Sequence, residues 1–358
     1  MISKISISVK GGSDSFRKFL SIIESRIVLI RIKKEKLSEI FIQAQQQKVI
    51  VFGDLMVDEY LWGAVNRISP EAPVPIINIS SAQLRFGGAA NVAFNLLGLG
   101  QTPLLVGLVG DDRMGHQFLE MLHTHNLPTE GIVVNPDRPT TVKTRIIGNN
   151  QHIARVDQES VDAISLEVQE KLFEIFITHI EGVSAILIQD YNKGVVVPQL
   201  VHHIIDLAGR QGKIVTVDPK FENFFEFKNS TLFKPNTKEV EEALAIRIRD
   251  DNDIIAAGKK LLSRLNCRAV LITRGSYGMA LLEENGDSTF VGTKARNVAD
   301  VSGAGDTVIA TLTFALSGGA NMKEAVTLSN FAAGLVCEEV GVVPVNREKL
   351  KMSILKSR

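Results

Sequence analysis

The chain has 358 residues, of which 45% are hydrophobic, and this composition is sufficient to bury a large core. Its 40 basic residues balance 40 acidic ones, which leaves no net positive field to hold nucleic acid or an anionic membrane. We therefore expect no nucleic-acid or membrane partners. Its two cysteines, Cys267 and Cys337, stand in apolar surroundings typical of reduced core thiols, so we expect a cytoplasmic protein.

From residue 48 onward, short apolar runs alternate with segments of helical periodicity. Strands are predicted at "KVIVFGD", "PLLVGLVG", "AILIQD", "KIVTVD", "TLFKPN" and "AVLITRG". Because strands that alternate with helices form parallel sheets covered on both faces, the pattern predicts an α/β, three-layer fold with a mostly parallel central sheet. Ligands of such folds bind beyond the carboxyl ends of the strands.

Two extended segments interrupt this alternation. Residues 60–85 are rich in proline, and residues 139–157 read as a hairpin that turns near Gly148. We expect these segments to form a small β lid that closes over a site.

The first 46 residues have no clear place in the alternating pattern. They contain one predicted helix, in "EKLSEIFIQAQQQ", and are interpreted as a loosely attached, poorly ordered N-terminal extension or as the product of an upstream start site. The main domain is therefore predicted to span residues 47–350.

The segment "DVSGAGD", residues 300–306, stands directly before an apolar helical run. A helix N-terminus presents unpaired N–H groups to anions, and the small residues Gly303, Ala304 and Gly305 would let a phosphate approach. The carboxylate of Asp306 would lie beside that anion and could take a proton from an attacking hydroxyl. The alternative from the motif alone is a tight turn in which Asp306 only caps the helix.

Five segments occur in an order that resembles the ribokinase (PfkB) family of carbohydrate kinases. They are "VFGDLMVDEY" (51–60), "RFGGAANVAFNLLGLG" (85–100), "KPNTKE" (234–239), "TRGSYG" (273–278) and "DVSGAGDT" (300–307). The resemblance covers residues 48 to about 345. It implies a ribokinase-like fold, ATP and Mg²⁺ as cofactors, Asp306 as general base and a homodimer.

The resemblance assigns one group of residues to the sugar. These residues follow the first strand or lie in the N-terminal glycine motif: Asp54, Asp58, Gly87, Gly88 and Asn91. The alternative for Asp54 and Asp58, which follow a strand, is that they are a turn acid and a solvated acid without a function.

A second group is assigned to the nucleotide and to metal ions. Asn236 and Glu239 would organise Mg²⁺ through water, although Asn followed three residues later by Glu is also a helix capping box. The nucleotide loop corresponds to Thr273, Gly275 and Gly278. Asn330 could line the adenine pocket or be a polar residue on an ordinary helix. A monovalent cation such as K⁺ would be held near Asp300 and Ser302, where the family's usual Thr-Thr is replaced by Val-Ser.

A narrower resemblance is to the kinases of this family that phosphorylate D-glycero-β-D-manno-heptose 7-phosphate at the anomeric carbon, a step towards ADP-heptose and lipopolysaccharide. It rests on "RISPEAPVPIINI" (67–79), "GGAANVAFNL" (87–96), "QDYNKG" (189–194) and "VDPK" (217–220). Many such relatives carry a second, nucleotidyl-transferring domain with a His-x-Gly-His motif, and none of the seven histidines here stands in that pattern. We therefore expect the kinase activity alone.

A heptose 7-phosphate requires cationic partners for its distal phosphate. The candidates lie in or near the predicted lid and are Arg67, Lys143, Arg145, Arg155 and Lys193, each of which could instead be an ordinary surface charge.

Three alternative functions remain at this stage. A kinase of the same family could act on another sugar or sugar phosphate, and the same fold could serve as a catalytically silent sugar or nucleotide sensor. A nicotinamide dehydrogenase is disfavoured because the turn "GDLMVDEY" after the first strand lacks Gly-x-Gly-x-x-Gly.

Overall fold

The computed structural model describes residues 31–294, 300–339 and 341–356. Its strands in chain order are β1 (Val49–Gly53), β2 (Leu55–Ile68), β3 (Pro75–Gly88), β4 (Leu104–Gly110), β5 (Ile132–Asn135), β6 (Val142–Gly148), β7 (Gln151–Gln158), β8 (Ala185–Gln189), β9 (Ile214–Asp218), β10 (Leu232–Phe233), β11 (Ala269–Thr273), β12 (Met279–Glu283) and β13 (Ser288–Val291). Its α-helices are α1 (Lys34–Gln46), α2 (Ala89–Gly98), α3 (Arg113–Thr124), α4 (Leu166–His179), α5 (Pro198–Arg210), α6 (Thr237–Leu244), α7 (Asp251–Leu265), α8 (Ala304–Ser317), α9 (Met322–Cys337) and α10 (Arg347–Lys356).

Nine strands form the main sheet in the order β13-β12-β11-β10-β9-β8-β1-β4-β5. All neighbours from β11 to β5 run parallel, and β12 is antiparallel to both β11 and β13. Strands β1, β8 and β9 lie side by side, so their last residues, Gly53, Gln189 and Asp218, meet at one edge of the sheet.

The main sheet is covered on both faces, as alternating side chains along its strands require. Val49 and Val51 of β1 pack in one apolar cluster with residues of α1, α2, α3, α8, α9 and α10. Ile50 and Phe52 pack in the other cluster with residues of α4, α5, α6 and α7. The prediction of a three-layer α/β fold with a mostly parallel central sheet is confirmed.

A second, four-stranded sheet has the order β3-β2-β6-β7. Strand β2 is antiparallel to β3 and parallel to β6, and β6 and β7 form the predicted hairpin, with Asn149 and Asn150 between them in the left-handed region. The extended segments of the sequence therefore form a separate small sheet beside the main one, as predicted.

Helix α1 corrects the interpretation of the first 46 residues. Leu37, Ile40, Phe41 and Ala44 of this helix are buried, and the Phe41 ring lies edge-on to Phe314 of α8 at 5.2 Å between ring centroids. Residues 34–46 are therefore part of the main core rather than a loosely attached extension. Residues 1–30 lie outside the described residues.

None of the helices in the described part of the chain is long and apolar enough to cross a membrane.

Candidate active site

The Asp306 carboxylate is buried in the first turn of α8, and three side chains hydrogen-bond to it. Asn91 Nδ2 donates to Oδ2 at 2.6 Å, the Tyr191 hydroxyl donates to Oδ1 at 2.8 Å and Gln189 Nε2 donates to Oδ1 at 3.3 Å. These donors come from α2, from β8 and from the loop that follows β8, so elements distant in the chain fix the carboxylate in one orientation.

Burial raises the pKa of Asp306 to about 6. The negative charge of Asp218 raises it further, while the hydrogen bonds from Asn91 and Tyr191 and the charge of Lys234 lower it. A carboxylate with this pKa is ionised at neutral pH and is a stronger base than an exposed aspartate, as proton abstraction requires.

The turn before α8 has the geometry that the glycine motif predicts, with one exception. Gly303 has a φ of 75°, and a Cβ at this position would lie 3.2 Å from Asn91 Nδ2. A larger residue is therefore disfavoured both by the backbone conformation and by contact with the Asp306 partner. The exception is Ala304, whose N–H donates to the Val301 carbonyl at 3.2 Å. This N–H is therefore not free to bind an anion.

Two lysines lie beside this turn. Lys234 is buried, and its Nζ is 3.0 Å from Asp218 and 3.8 Å from the position that a Cβ on Gly305 would take. Lys220 contacts Glu239 at 2.5 Å, and its Nζ lies 5.5 Å from the centre of the Tyr191 ring. Helix amides and these two ammonium groups together form an environment suited to phosphate oxygens.

Asp54 has a different role from the predicted sugar contact. Its carboxylate accepts backbone N–H groups of Tyr191 (2.7 Å), Lys193 (3.1 Å) and Val195 (3.1 Å). Burial raises its pKa even though the three amides act in the opposite direction. Asp54 therefore holds the loop that presents Tyr191 to Asp306, and we correct its assignment accordingly.

Asp58 and the glycine motif line the side of the site formed by the small sheet. Asp58 is buried on β2, and its Oδ1 accepts a hydrogen bond from Arg145 at 2.5 Å. A Cβ on Gly87 would lie 2.9 Å from Asp58 Oδ2, and one on Gly88 would lie 2.3 Å from the Asp54 carbonyl. The two glycines thus permit β3 to approach the acids closely, whereas the Asn91 side chain contacts Asp306.

The segments assigned to the nucleotide meet at the ends of β10 and β11. Asn236 and Glu239 form a complete capping box, and a β-bridge pairs Asn236 with Thr273. Gly275 and Gly278 have φ values of 55° and 84° in the turn between β11 and β12.

Asn330 and Asp300 both make contacts within the protein. Asn330 Nδ2 donates to the Gly292 carbonyl at 2.7 Å, which ties α9 to the residues after β13, and its predicted contact with adenine stays a prediction. The two oxygens of Asp300 accept the N–H groups of Ser302 (2.9 Å) and Gly341 (3.1 Å), so Asp300 shapes the loop before the glycine turn.

Comparison with known proteins identifies the family. A model described as "pfkB family carbohydrate kinase" matches residues 46–349. The chain belongs to the pfkB family of carbohydrate kinases. This kinase is 38% identical to "Bifunctional protein HldE" of Geobacter sulfurreducens over 90% of the chain and 66% of that relative. It is 39% identical to the protein of the same name from Aliarcobacter butzleri, over 83% of the chain and 62% of the relative. The chain thus spans slightly less than two thirds of the length of these curated relatives.

Solved structures support the same fold for this kinase. Arabidopsis thaliana ribokinase complexed with ribose and ATP superposes with a TM-score of 0.68 at 19% identity, covering 87% of this chain and 98% of that chain. Phosphofructokinase-2 from Escherichia coli gives a TM-score of 0.72 at 17% identity, covering 87% of this chain and 100% of that chain. The predicted ribokinase-like fold is confirmed.

Five basic residues of this pfkB kinase were candidates for a distal phosphate, and the structure separates them. Lys143 and Lys193 both contact the Glu159 carboxylate, and Arg145 pairs with Asp58. Arg155 contacts Asp157 and has a side chain that is 60% exposed, and Arg67 is exposed near the far end of β2. The structure therefore brings Lys143 and Lys193 together but leaves Arg67 and Arg155 on the surface.

Sequence reasoning missed several residues of the kinase's site, although it quoted the motifs that contain them. Gln189, Tyr191, Asp218, Lys220 and Lys234 follow or end β8, β9 and β10. Their common signal is a polar residue at the carboxyl end of a buried parallel strand, which is where ligands of such sheets bind.

Proposed function

We propose that this kinase transfers the γ-phosphoryl group of ATP to the anomeric hydroxyl of D-glycero-β-D-manno-heptose 7-phosphate, giving the 1,7-bisphosphate. The observation that carries the substrate is the pair Lys143 and Lys193, whose ammonium groups converge on a single carboxylate. Lys193 belongs to the same loop as Tyr191, which contacts Asp306. The site therefore offers a distal phosphate two cations close to the proposed base.

The comparisons support this narrower reading. The curated relatives at 38–41% identity share one name, which describes a bifunctional protein, and the chain aligns with 62–66% of their length. A match to one part of a bifunctional relative agrees with the sequence resemblance to heptose 7-phosphate kinases, many of which carry a second domain.

In the proposed reaction, the oxygen of the anomeric hydroxyl attacks the γ-phosphorus of ATP while Asp306 accepts the hydroxyl proton. The bond from the γ-phosphorus to the β,γ-bridging oxygen breaks, and ADP leaves. Asn91, Gln189 and Tyr191 keep the carboxylate in place during this step. The amides at the start of α8 and the Lys234 ammonium stabilise the charge on the transferred phosphoryl group. Gln189 Oε1 is buried without a hydrogen-bond partner among the described residues, and a substrate hydroxyl would satisfy it.

The acidic residues fit a Mg²⁺ ion held mainly by nucleotide phosphates and water. Both Glu239 oxygens are already engaged, Oε1 with Lys220 and Oε2 with the Asn236 N–H, so this carboxylate suits a water-mediated contact. No cluster of three or more His, Cys, Asp or Glu that could hold a metal occurs in the described ranges. When bound, Mg²⁺ would neutralise charge on the phosphates.

A K⁺ ion near Asp300 and Ser302 stays a proposal, checked by activity with K⁺ replaced by Na⁺.

The pKa of Asp306 predicts the pH dependence of the reaction. Because only the ionised form accepts a proton, kcat/KM should be about half its maximum near pH 6, should decline further at lower pH and should level off only above about pH 7. Tyr191→Phe removes one donor to the carboxylate, so the acid limb should move to higher pH. Initial rates between pH 5 and 8 with saturating ATP measure the acid limb in the wild type and in the variant. The same limb in both proteins would contradict the assigned hydrogen bond.

The substrate proposal is tested by ATP turnover against a small panel. The panel contains heptose 7-phosphate, the heptose without its phosphate, ribose, fructose and fructose 6-phosphate. We expect turnover with heptose 7-phosphate and at least tenfold weaker kcat/KM with the unphosphorylated heptose, because that sugar offers no phosphate to the lysine pair. Preference for another sugar would leave the assignment as a sugar kinase unchanged and would overturn only the proposed substrate. Ligand binding without turnover across the panel would favour a sensor, which the ionised base and the positioned lysines disfavour.

We also propose that the small sheet pairs with that of a second copy. Ile79, Ile153 and Val156 on its strands are exposed by 48%, 39% and 56%, and exposed apolar side chains of this kind favour association. Sedimentation velocity of the purified chain should show a dimer, and a monomer at micromolar concentration would reject this proposal.

A further inference from the structure

Glu159 lies directly after β7 and joins the small sheet to the loop after β8. Its Oε1 accepts a hydrogen bond from Lys193 at 2.8 Å and its Oε2 accepts one from Lys143 at 2.9 Å. The three side chains are only 15–23% exposed. Although partial burial acts to raise the pKa of Glu159, the hydrogen bonds and charges of the two lysines hold it below the usual value.

The chain does not need this carboxylate to hold the two segments together. Arg138 donates to the carbonyls of Ser160 and Asp162 and to that of Lys193, and the Ile164 N–H donates to the Gly194 carbonyl at 3.0 Å. Asp54 independently fixes the loop through three backbone amides. The ion pairs of Glu159 therefore add little to the attachment of the segment after β7 to the loop after β8.

We propose that Glu159 is a resident anion in the subsite for the distal phosphate and determines which anions can enter it. This inference rests on the proposed function, in which the substrate carries a second phosphate. A carboxylate and a phosphate are recognised by the same ammonium donors, so an incoming phosphate must displace Glu159 from Lys143 and Lys193.

Competition with a resident carboxylate raises the concentration at which any phosphate occupies the lysine pair. A free anion must displace Glu159 at its concentration in solution, whereas the phosphate of a bound sugar phosphate is held at high effective concentration by the sugar contacts. Glu159 therefore keeps inorganic phosphate out of the lysine pair at concentrations where the tethered phosphate still enters. A sugar without a phosphate leaves the Glu159 contacts intact.

The test compares Glu159→Gln with the wild-type kinase and with Asp157→Asn. Asp157 is the matched control because its Oδ2 also contacts Lys143 at 2.9 Å, but its other oxygen pairs with Arg155 rather than Lys193. In Glu159→Gln we expect the inhibition constant of inorganic phosphate and the KM of the sugar phosphate to fall by about three- to tenfold, as for one partly buried ion pair. The KM of the unphosphorylated sugar should not fall, and Asp157→Asn should show a smaller change.

Two results would overturn the inference. A rise in the KM of the sugar phosphate in Glu159→Gln would mean that Glu159 positions the lysines for substrate, and equal effects in Asp157→Asn would mean that net charge alone is responsible.

A binding measurement separates this inference from the proposed substrate. Thermal melting with added sodium phosphate, against sodium chloride at equal ionic strength, requires no turnover. Phosphate should stabilise Glu159→Gln more than the wild type, and the extra shift should disappear in Glu159→Gln combined with Lys143→Met. If phosphate gives this extra stabilisation but heptose 7-phosphate is not turned over, the anion subsite is supported and the proposed substrate is rejected. If phosphate gives no extra stabilisation, the proposed subsite is rejected.

Discussion

Asp306→Asn should lower kcat by about 10²- to 10⁴-fold, the usual contribution of a general base, while the affinity for ATP changes little. The substitution keeps the size of the side chain and one acceptor for the Tyr191 hydroxyl and Gln189 Nε2. It removes the only feature that proton abstraction needs, an ionised oxygen. The measurement is steady-state turnover together with nucleotide binding by calorimetry.

Asp190→Asn is the matched control for this variant. Asp190 is also buried at the same sheet edge, and burial followed by the charge of Asp54 raises its pKa to about 7. Its carboxylate, however, accepts hydrogen bonds from the Asn192 N–H and from Asn223 rather than contacting Asp306. We expect a much smaller loss of kcat, and an equal loss in both variants would indicate a disturbed loop instead of a missing base.

The order of strands and helices could be predicted from the sequence because each buried parallel strand leaves a continuous apolar run. The order within the sheet could not, since β1 lies between β8 and β4 and no local pattern records that pairing. This non-local order determines the site, because it places Gln189 and Asp218 beside each other and near Asp306.

Helix α1 shows the same limit of local reasoning. Leu37, Ile40, Phe41 and Ala44 have the spacing of one apolar helix face, so the helix itself could be predicted. Its partner could not, because the face packs on α8, more than 250 residues later in the chain. The sequence alone therefore assigns the helix to the extension that precedes it.

The two acids after β1 show why residue roles were harder to predict than motifs. Asp54 and Asp58 are four residues apart and are both buried, yet Asp54 caps backbone amides and Asp58 pairs with Arg145 on the small sheet. Only the folded positions of the loop after β8 and of β6 distinguish these environments. In the sequence, both residues are simply aspartates close after a buried strand, and this pattern is the same for both roles.

Lys234→Met should lower kcat by about 10²- to 10³-fold, as expected when a positioned donor to the transferred phosphoryl group is lost. It should also destabilise the fold by about 3–5 kcal/mol, because Asp218 is buried and would lose its cation. The single variant therefore mixes a catalytic effect with a structural one, and turnover alone cannot separate them.

The double variant Lys234→Met with Asp218→Asn resolves the two effects. Neutralising Asp218 removes the unpaired buried charge, so chemical denaturation should show most of the lost stability restored. Turnover should stay low, because the Lys234 ammonium that faces the turn at Gly305 is then absent. If turnover returned together with stability, Lys234 would serve only to neutralise Asp218, and the anion site at the start of α8 would have to function through its backbone amides alone.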